Sequence, residues 1–151
     1  MEILSNIIFQ KNKFQEERYT TMPKTIRQTV TLLATPHDVF EMLMDSKKHA
    51  KFSGAIAAIS RKVGGKFSAY DGYCAGKNLE LIPDEKIVQE WRASDWKETE
   101  VSKVTFQLSP TKNGTKLSFT QSGVPDKHVD AIKQGWKDFY WEPMKKLLEG
   151  K

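Results

Sequence analysis

The chain of 151 residues has one cysteine, Cys74, and only three histidines, His37, His49 and His128. A single cysteine cannot form an internal disulfide, which favours a reducing compartment. No histidine adjoins Cys74 to activate it, so the residue reads as a small buried hydrophobe. The histidines stand at no ligand-like spacing from one another or from Cys74, which argues against a zinc or iron centre. They read as surface positions, with His37 in the first turn of a helix.

Long apolar runs are missing as well. The opening MEILSNIIFQKNKF falls far short of the ~20 residues that a membrane span needs, and it lacks a basic n-region or a small-residue cleavage site. The expectation is a cytoplasmic protein with no membrane span. Although the formal net charge is +5, there is no run of five like charges and no arginine–aromatic nucleic-acid motif. The excess lies in scattered pairs such as Lys47-Lys48, Arg61-Lys62 and Lys145-Lys146. Dispersed in this way, it reads as a solvated surface and not as a nucleic-acid groove.

Catalytic signatures are equally scarce. Ser53-Gly54 and Ser122-Gly123 do not sit in a Gly-x-Ser-x-Gly elbow. Gly64-Gly65 has no following helix with which to hold a phosphate, and Asp84-Glu85 reads as a solvated turn. No catalytic residue, metal ligand or cofactor is therefore assigned.

What is present is a single domain's worth of residues, 38% hydrophobic and 28% charged, enough for a real core. Residues 1–23 net to zero charge and read as an N-terminal extension, with one domain over 24–151. Ile26, Gln28, Val30 and Leu32 alternate with polar neighbours, as in a strand with one buried face. ATPHDVFEMLMD then offers an N-cap threonine, a proline at the first helical position and Asp38 in the first turn. A short helix is expected to end near Asp45-Ser46, followed by an irregular stretch, KKHAKFSG.

Strand signals resume at AAIS and continue for about seventy residues through the turns at Gly64-Gly65, Asp71-Gly72, Pro83-Asp84-Glu85 and Asn113-Gly114. Val104, Phe106 and Leu108, then Leu117 and Phe119, mark buried faces. Gln89 and Gln121 share those faces. Each needs a hydrogen-bond partner, either at the sheet rim or as a polar handle inside a cavity. After Asp126, residues Val129, Ile132, Trp136, Phe139/Tyr140, Pro143 and Leu147 follow helical spacing. One amphipathic helix is expected there, kinked at Pro143. Trp141 falls off its main stripe, at a sheet edge or as an exposed anchor.

The ordered blocks TPHDVFEMLMD, HAKFSG, VGGKFSAYDGYCAGKNLEL, KIVQEWR, VTFQL, GTKLSFTQSGVP and GWKDFYWEPMKKLLE span about residues 25–149. They resemble the activator of heat-shock-chaperone ATPase homologue family, within the START-like helix-grip superfamily. That resemblance implies an α+β helix-grip fold: a curved antiparallel sheet of six to seven strands round a long C-terminal helix, with a short helix after the first strand. It implies an apolar cavity between sheet and helix. The residues placed to line it are Phe67, Leu79, Leu81, Gln89, Trp91, Val104, Phe106, Phe119, Gln121, Ile132, Trp136, Phe139 and Tyr140. The function expected is a non-enzymatic protein holding a small hydrophobic or amphipathic ligand. The alternative is a co-chaperone-like or regulatory module that meets a protein partner, such as a chaperone. Eukaryotic members of the family are two-domain co-chaperones, and the resemblance is to their C-terminal domain.

Overall fold

The computed structural model describes residues 23–150, so nearly all of the expected N-terminal extension lies outside the described residues. The first strand, β1, runs over Lys24–Leu32 and buries Ile26, Val30 and Leu32. Helix α1, Pro36–Met44, starts as the sequence dictates: the Thr35 hydroxyl accepts from the Asp38 N–H at 3.1 Å, and Pro36 needs no N–H in the first turn.

The stretch read as irregular is a second helix, α2, Ser46–Ser53. Its boundaries are local. The Asp45 carboxylate accepts from the Lys48 N–H at 2.9 Å, and Gly54 closes the helix in the left-handed region at φ 71°. The polar KKHAKFS composition hides the helix, because only His49 and Phe52 are buried. Burial of His49 overturns its surface reading, since α2 turns it towards the interior.

Six further strands follow: β2 (Ala58–Ile59), β3 (Lys66–Ala69), β4 (Cys74–Ile82), β5 (Lys86–Ala93), β6 (Ser102–Thr111) and β7 (Gly114–Val124). All neighbours are antiparallel, in the order β1-β7-β6-β5-β4-β3-β2. The first strand therefore pairs with the last at one edge, and the rest form a meander. In register, Phe106 lies opposite Phe119 and Leu108 opposite Leu117, so period-two alternation stacks one apolar face across the sheet. Lys103, Arg27 and Lys116 stand exposed on the opposite face.

A bulge in β4 changes one expectation. Asn78 pairs with Gln89 and Glu80 with Val88, leaving Leu79 as the extra residue. Leu79 is 40% exposed and lines no interior, whereas Asn78 takes the buried position. The one-residue insertion is what moves Leu79 out of the inward set.

After a 3₁₀ turn at Asp126–His128, the C-terminal helix runs as α3 (Val129–Trp136), a π turn (Lys137–Trp141) and α4 (Glu142–Glu149). Its buried side chains, Ile132, Trp136, Tyr140, Trp141 and Met144, sit on the apolar face of the sheet. At roughly 1.5–3 kcal/mol for each large side chain removed from water, this stripe is a main source of stability. The expected discontinuity at Pro143 takes the form of that π turn. Proline has no N–H to offer the Phe139 carbonyl; the Glu142 N–H instead bonds the Lys137 carbonyl, and Pro143 falls in the first turn of α4.

The wider turn also rotates the aromatics. With bonds running over five residues, Trp141 returns to the face of Trp136, and their rings stack at 5.7 Å and 21°. Phe139 rotates outward and is 57% exposed. Both departures from the α-helical reading, Trp141 in and Phe139 out, share this one cause.

Candidate functional site: an apolar cleft beside the C-terminal helix

The space directly between sheet and helix is nearly full. Phe67, Gln89, Trp91, Phe106, Trp136 and Tyr140 enclose a void of about 10 Å³ there, room for at most a single water. The aromatic rings fill it: Phe119 and Tyr140 lie tilted against Trp136 at 4.4 and 4.5 Å, and Phe106 meets Trp136 edge to face at 5.8 Å.

The inner glutamines are satisfied by side chains. The Trp136 indole N–H donates to Gln121 Oε1 at 2.7 Å, and Gln121 Nε2 donates to Ser102 Oγ at 2.9 Å. Gln89 Nε2 donates to Asn78 Oδ1 at 3.0 Å, while Asn78 Nδ2 donates to the carbonyls of Ser60 and Lys62 at 2.7 and 3.0 Å. These amides tie strands, loop and helix together, and neither is left over as a handle.

Open space lies to one side. A cleft of about 390 Å³ runs between the β3–β4 hairpin, β5 and the C-terminal helix. The hairpin supplies Tyr70, Tyr73 and Cys74, the strand Trp91, and the helix Ala131, Ile132, Gly135, Trp136, Phe139 and Tyr140. Of the expected cavity residues, Trp91, Ile132, Trp136, Phe139 and Tyr140 meet in this cleft. Phe67, Gln89 and Phe106 meet at the small central void, and Leu81 lines a separate hollow beside α1. Val104, Phe119 and Gln121 are buried in the packed interior.

Sequence reasoning missed Tyr70, Tyr73, Cys74, Ala131 and Gly135 as lining residues. Ala131, Gly135 and Phe139 stand four apart and share a helix face, a small-small-aromatic stripe that marks a groove. The Tyr-Asp-Gly-Tyr turn was legible as a hairpin but not as a wall. Tyr70, Asp71 and Gly72 all have positive φ, at 52°, 58° and 90°. A tyrosine in the left-handed region is strained, and the turn holds it there. The Asp71 N–H bonds the Ile56 carbonyl at 3.1 Å, and its carboxylate accepts from the Ile56 N–H at 2.8 Å.

Titratable groups at the inner end of the cleft are held neutral. His49 shares a 3.0 Å hydrogen bond with the Tyr140 hydroxyl, and burial pushes its pKa down to about 4. Burial pushes the Cys74 thiol up to about 12, and both Tyr70 and Tyr140 stay protonated for the same reason. The Trp91 indole N–H lies close enough to Cys74 to favour its thiolate slightly, but has no aligned hydrogen-bond partner. The Tyr70 hydroxyl is likewise buried and unpartnered.

Curved sheet, gripped helix and lateral apolar cleft define a START-like helix-grip module. The chain belongs to the family of activator of Hsp90 ATPase homolog 1-like proteins, which it matches over residues 33–149. It is 28% identical over 118 residues to the human activator of 90 kDa heat shock protein ATPase homolog 1, covering 78% of this chain and 35% of that protein. The Dictyostelium discoideum homologue is 31% identical over 134 residues, covering 88% and 34%. The chain thus spans about a third of the length of the curated relatives it matches.

Among solved structures, PFC0360w, an HSP90 activator from Plasmodium falciparum, superposes with a TM-score of 0.76 at 29% identity. The match covers 83% of this chain and 96% of that one. The Aha1 dimer from Colwellia psychrerythraea shares the fold at a TM-score of 0.72 and 19% identity, covering 83% and 96%. Among the described residues, no helix is long and apolar enough to cross a membrane, and no group of three or more His, Cys, Asp or Glu is placed to hold a metal ion.

Proposed function

We propose that this chain is a non-enzymatic binding protein that holds a small hydrophobic or amphipathic ligand in the cleft beside its C-terminal helix. The cleft itself carries the reading: about 390 Å³ of space with an aromatic lining, within the range of small-molecule sites. It lies to the side of the sheet–helix interface, since the centre is packed shut. Gly135 supports the reading, because its missing side chain leaves the helix wall open.

Native mass spectrometry of protein purified from its own host, with uptake of an aromatic and lipid panel, tests the proposal. The wild-type chain should carry or take up an apolar molecule, and Gly135→Leu should not. A wild-type protein that neither retains nor takes up any such molecule would sink it.

A second reading, a co-chaperone-like role, is favoured by one observation. The solved chain of the Plasmodium HSP90 activator is matched over 96% of its length at 29% identity. Exposed Phe139 and Tyr73 at the cleft rim, with the basic outer surface, give this chain groups for contact with an acidic chaperone partner. The host's 90 kDa heat shock chaperone should then hydrolyse ATP faster when the chain is added, and should be captured by it. Unchanged turnover at high excess, together with no capture, would remove this reading.

A further inference from the structure

We propose that β1 is a dimerisation edge, whose free side pairs antiparallel with β1 of a second copy of this chain about a two-fold axis at Gln28. The proposal is independent of the cleft and of anything the cleft holds.

The backbone sets which groups are on offer. The Leu32 carbonyl points at β7, close enough to Gly114 that a Cβ there would strike it. Successive residues of an antiparallel strand send their N–H and C=O groups to opposite edges, so Ile26, Gln28 and Val30 face β7 as well. Thr25, Arg27, Thr29 and Thr31 therefore turn theirs to the outer side. Among the described residues, no strand pairs with that side of β1, and no other backbone hydrogen bond reaches it. A hollow of about 250 Å³ touches Thr31 and Leu33 together with Lys145, Leu148 and Glu149 of α4. Thr31 stands on the exposed face of β1 and α4 lies over the buried one, so this hollow opens at the edge itself.

Sheet edges are commonly blunted by shortness, proline, bulges or inward charge. The opposite edge, β2, is two residues long. β1 has nine, with no proline within it and no charge among its buried residues. The register shift near its start adds the extra residue to β7, since Lys24 pairs with Val124 and Ile26 with Gln121. β1 itself stays regular.

Self-complementarity commits this edge to a second copy. With the axis at Gln28, Arg27 meets Thr29, Thr25 meets Thr31, Ile26 meets Val30 and Lys24 meets Leu32. All four outward residues then fall in hydrogen-bonded pairs, and no like charges face each other. Moving the axis to Arg27 sets two arginines opposite one another. Moving it to Thr29 puts Thr25 against Leu33, past the end of the strand. The buried faces of the two copies continue one another across the axis, as an isologous contact requires.

Sedimentation velocity of the full chain, up to roughly millimolar concentration, tests for so small a contact. The wild type should pass from monomer to dimer. Thr29→Lys sets a lysine against Arg27 twice per dimer and should weaken association about fivefold, whereas Thr29→Glu should tighten it by about as much. Arg27→Glu combined with Thr29→Lys restores opposite charges and should return association to near the wild-type level. All three changes lie on the exposed face of β1. Hydrogen exchange should show the Thr25, Arg27, Thr29 and Thr31 amides gaining protection as the dimer forms. A wild type that stays monomeric throughout, or a dimer indifferent to the charge at position 29, would overturn the proposal. Protection of those four amides in a sedimenting monomer would overturn it too, since another segment of this chain would then occupy the edge.

Discussion

The indole nitrogen of Trp136 donates to Gln121 Oε1 at 2.7 Å, with both residues buried between the sheet and the C-terminal helix. This bond sets the helix in register against β7, and Gln121 passes it on to Ser102 of β6 at 2.9 Å. Replacement of Gln121 by Leu keeps the bulk but strands the indole N–H, which costs about 1–3 kcal/mol. Urea unfolding should show that loss. Trp136→Phe in the Gln121→Leu background should cost less than the sum of the single changes, since no stranded donor remains. Strict additivity would mean that the bond contributes nothing.

Gly135 separates stability from binding. A Cβ there would meet only Phe139 Cδ2, at 3.9 Å, which is ordinary contact. Gly135→Ala should therefore stabilise the fold by about 0.5–1 kcal/mol through helix propensity and a less flexible unfolded chain. Gly135→Leu should fold as well but project into the cleft and abolish uptake of aromatic probes. Thermal melts and probe titrations read the two effects separately. An alanine variant less stable than wild type would show that the helix wall depends on glycine for some other reason.

His49 gives the fold a pH dependence of definite sign. Its folded pKa is depressed from 6.5 to about 4 by burial, so the unfolded chain binds the proton first as pH falls. The stabilisation is complete above pH 6.5 and is lost progressively as pH falls towards 4, amounting to roughly 3 kcal/mol in all. Denaturant midpoints between pH 7 and pH 4.5 should fall more steeply for wild type than for His49→Gln, which cannot titrate. Parallel profiles would show that the imidazole takes up its proton at the same pH in the folded and unfolded chain.

Much of this architecture was legible because local and global signals agree. The alternation in β1, β6 and β7, the Thr35-Pro36 helix start and the hairpin glycines each specify a period or a turn that tertiary packing keeps. The misses arise where spacing alone misleads. The bulge at Leu79 inserts one residue and reverses which side chains face inward, with no change of composition to announce it. The π turn changes the angular advance per residue, so helical spacing puts Phe139 on the buried stripe and Trp141 off it, at a sheet edge or as an exposed anchor; Phe139 is in fact exposed, and Trp141 is buried against Gln28 of the edge strand β1. The α2 helix was lost because its apolar face is just His49 and Phe52. The cleft was half visible: its helix residues follow the amphipathic stripe, but Tyr70 and Tyr73 depend on a turn whose handedness no periodicity encodes.

Gln28 offers the last test, because it fastens the C-terminal helix to the first strand at two points, one in α3 and one in the π turn. Its Oε1 accepts from the Trp141 indole N–H at 2.7 Å, and its Nε2 donates to the Lys133 carbonyl at 2.9 Å. The Lys137 N–H bonds the Gln134 carbonyl, so the amide of Gln28 supplies Lys133 with a donor where the helix narrows before the π turn. Gln28→Leu removes both partners and leaves Trp141 buried with an unmet donor, a loss of about 1–3 kcal/mol. Gln28→Glu keeps the acceptor for Trp141 but loses the donor to Lys133, so it should fall between wild type and leucine. Hydrogen exchange should localise the change: amides of the π turn and α4 should open faster in Gln28→Leu, while those of β5 and β6 keep their protection. Uniform acceleration across the sheet would mean that Gln28 contributes only to global stability and does not hold the turn.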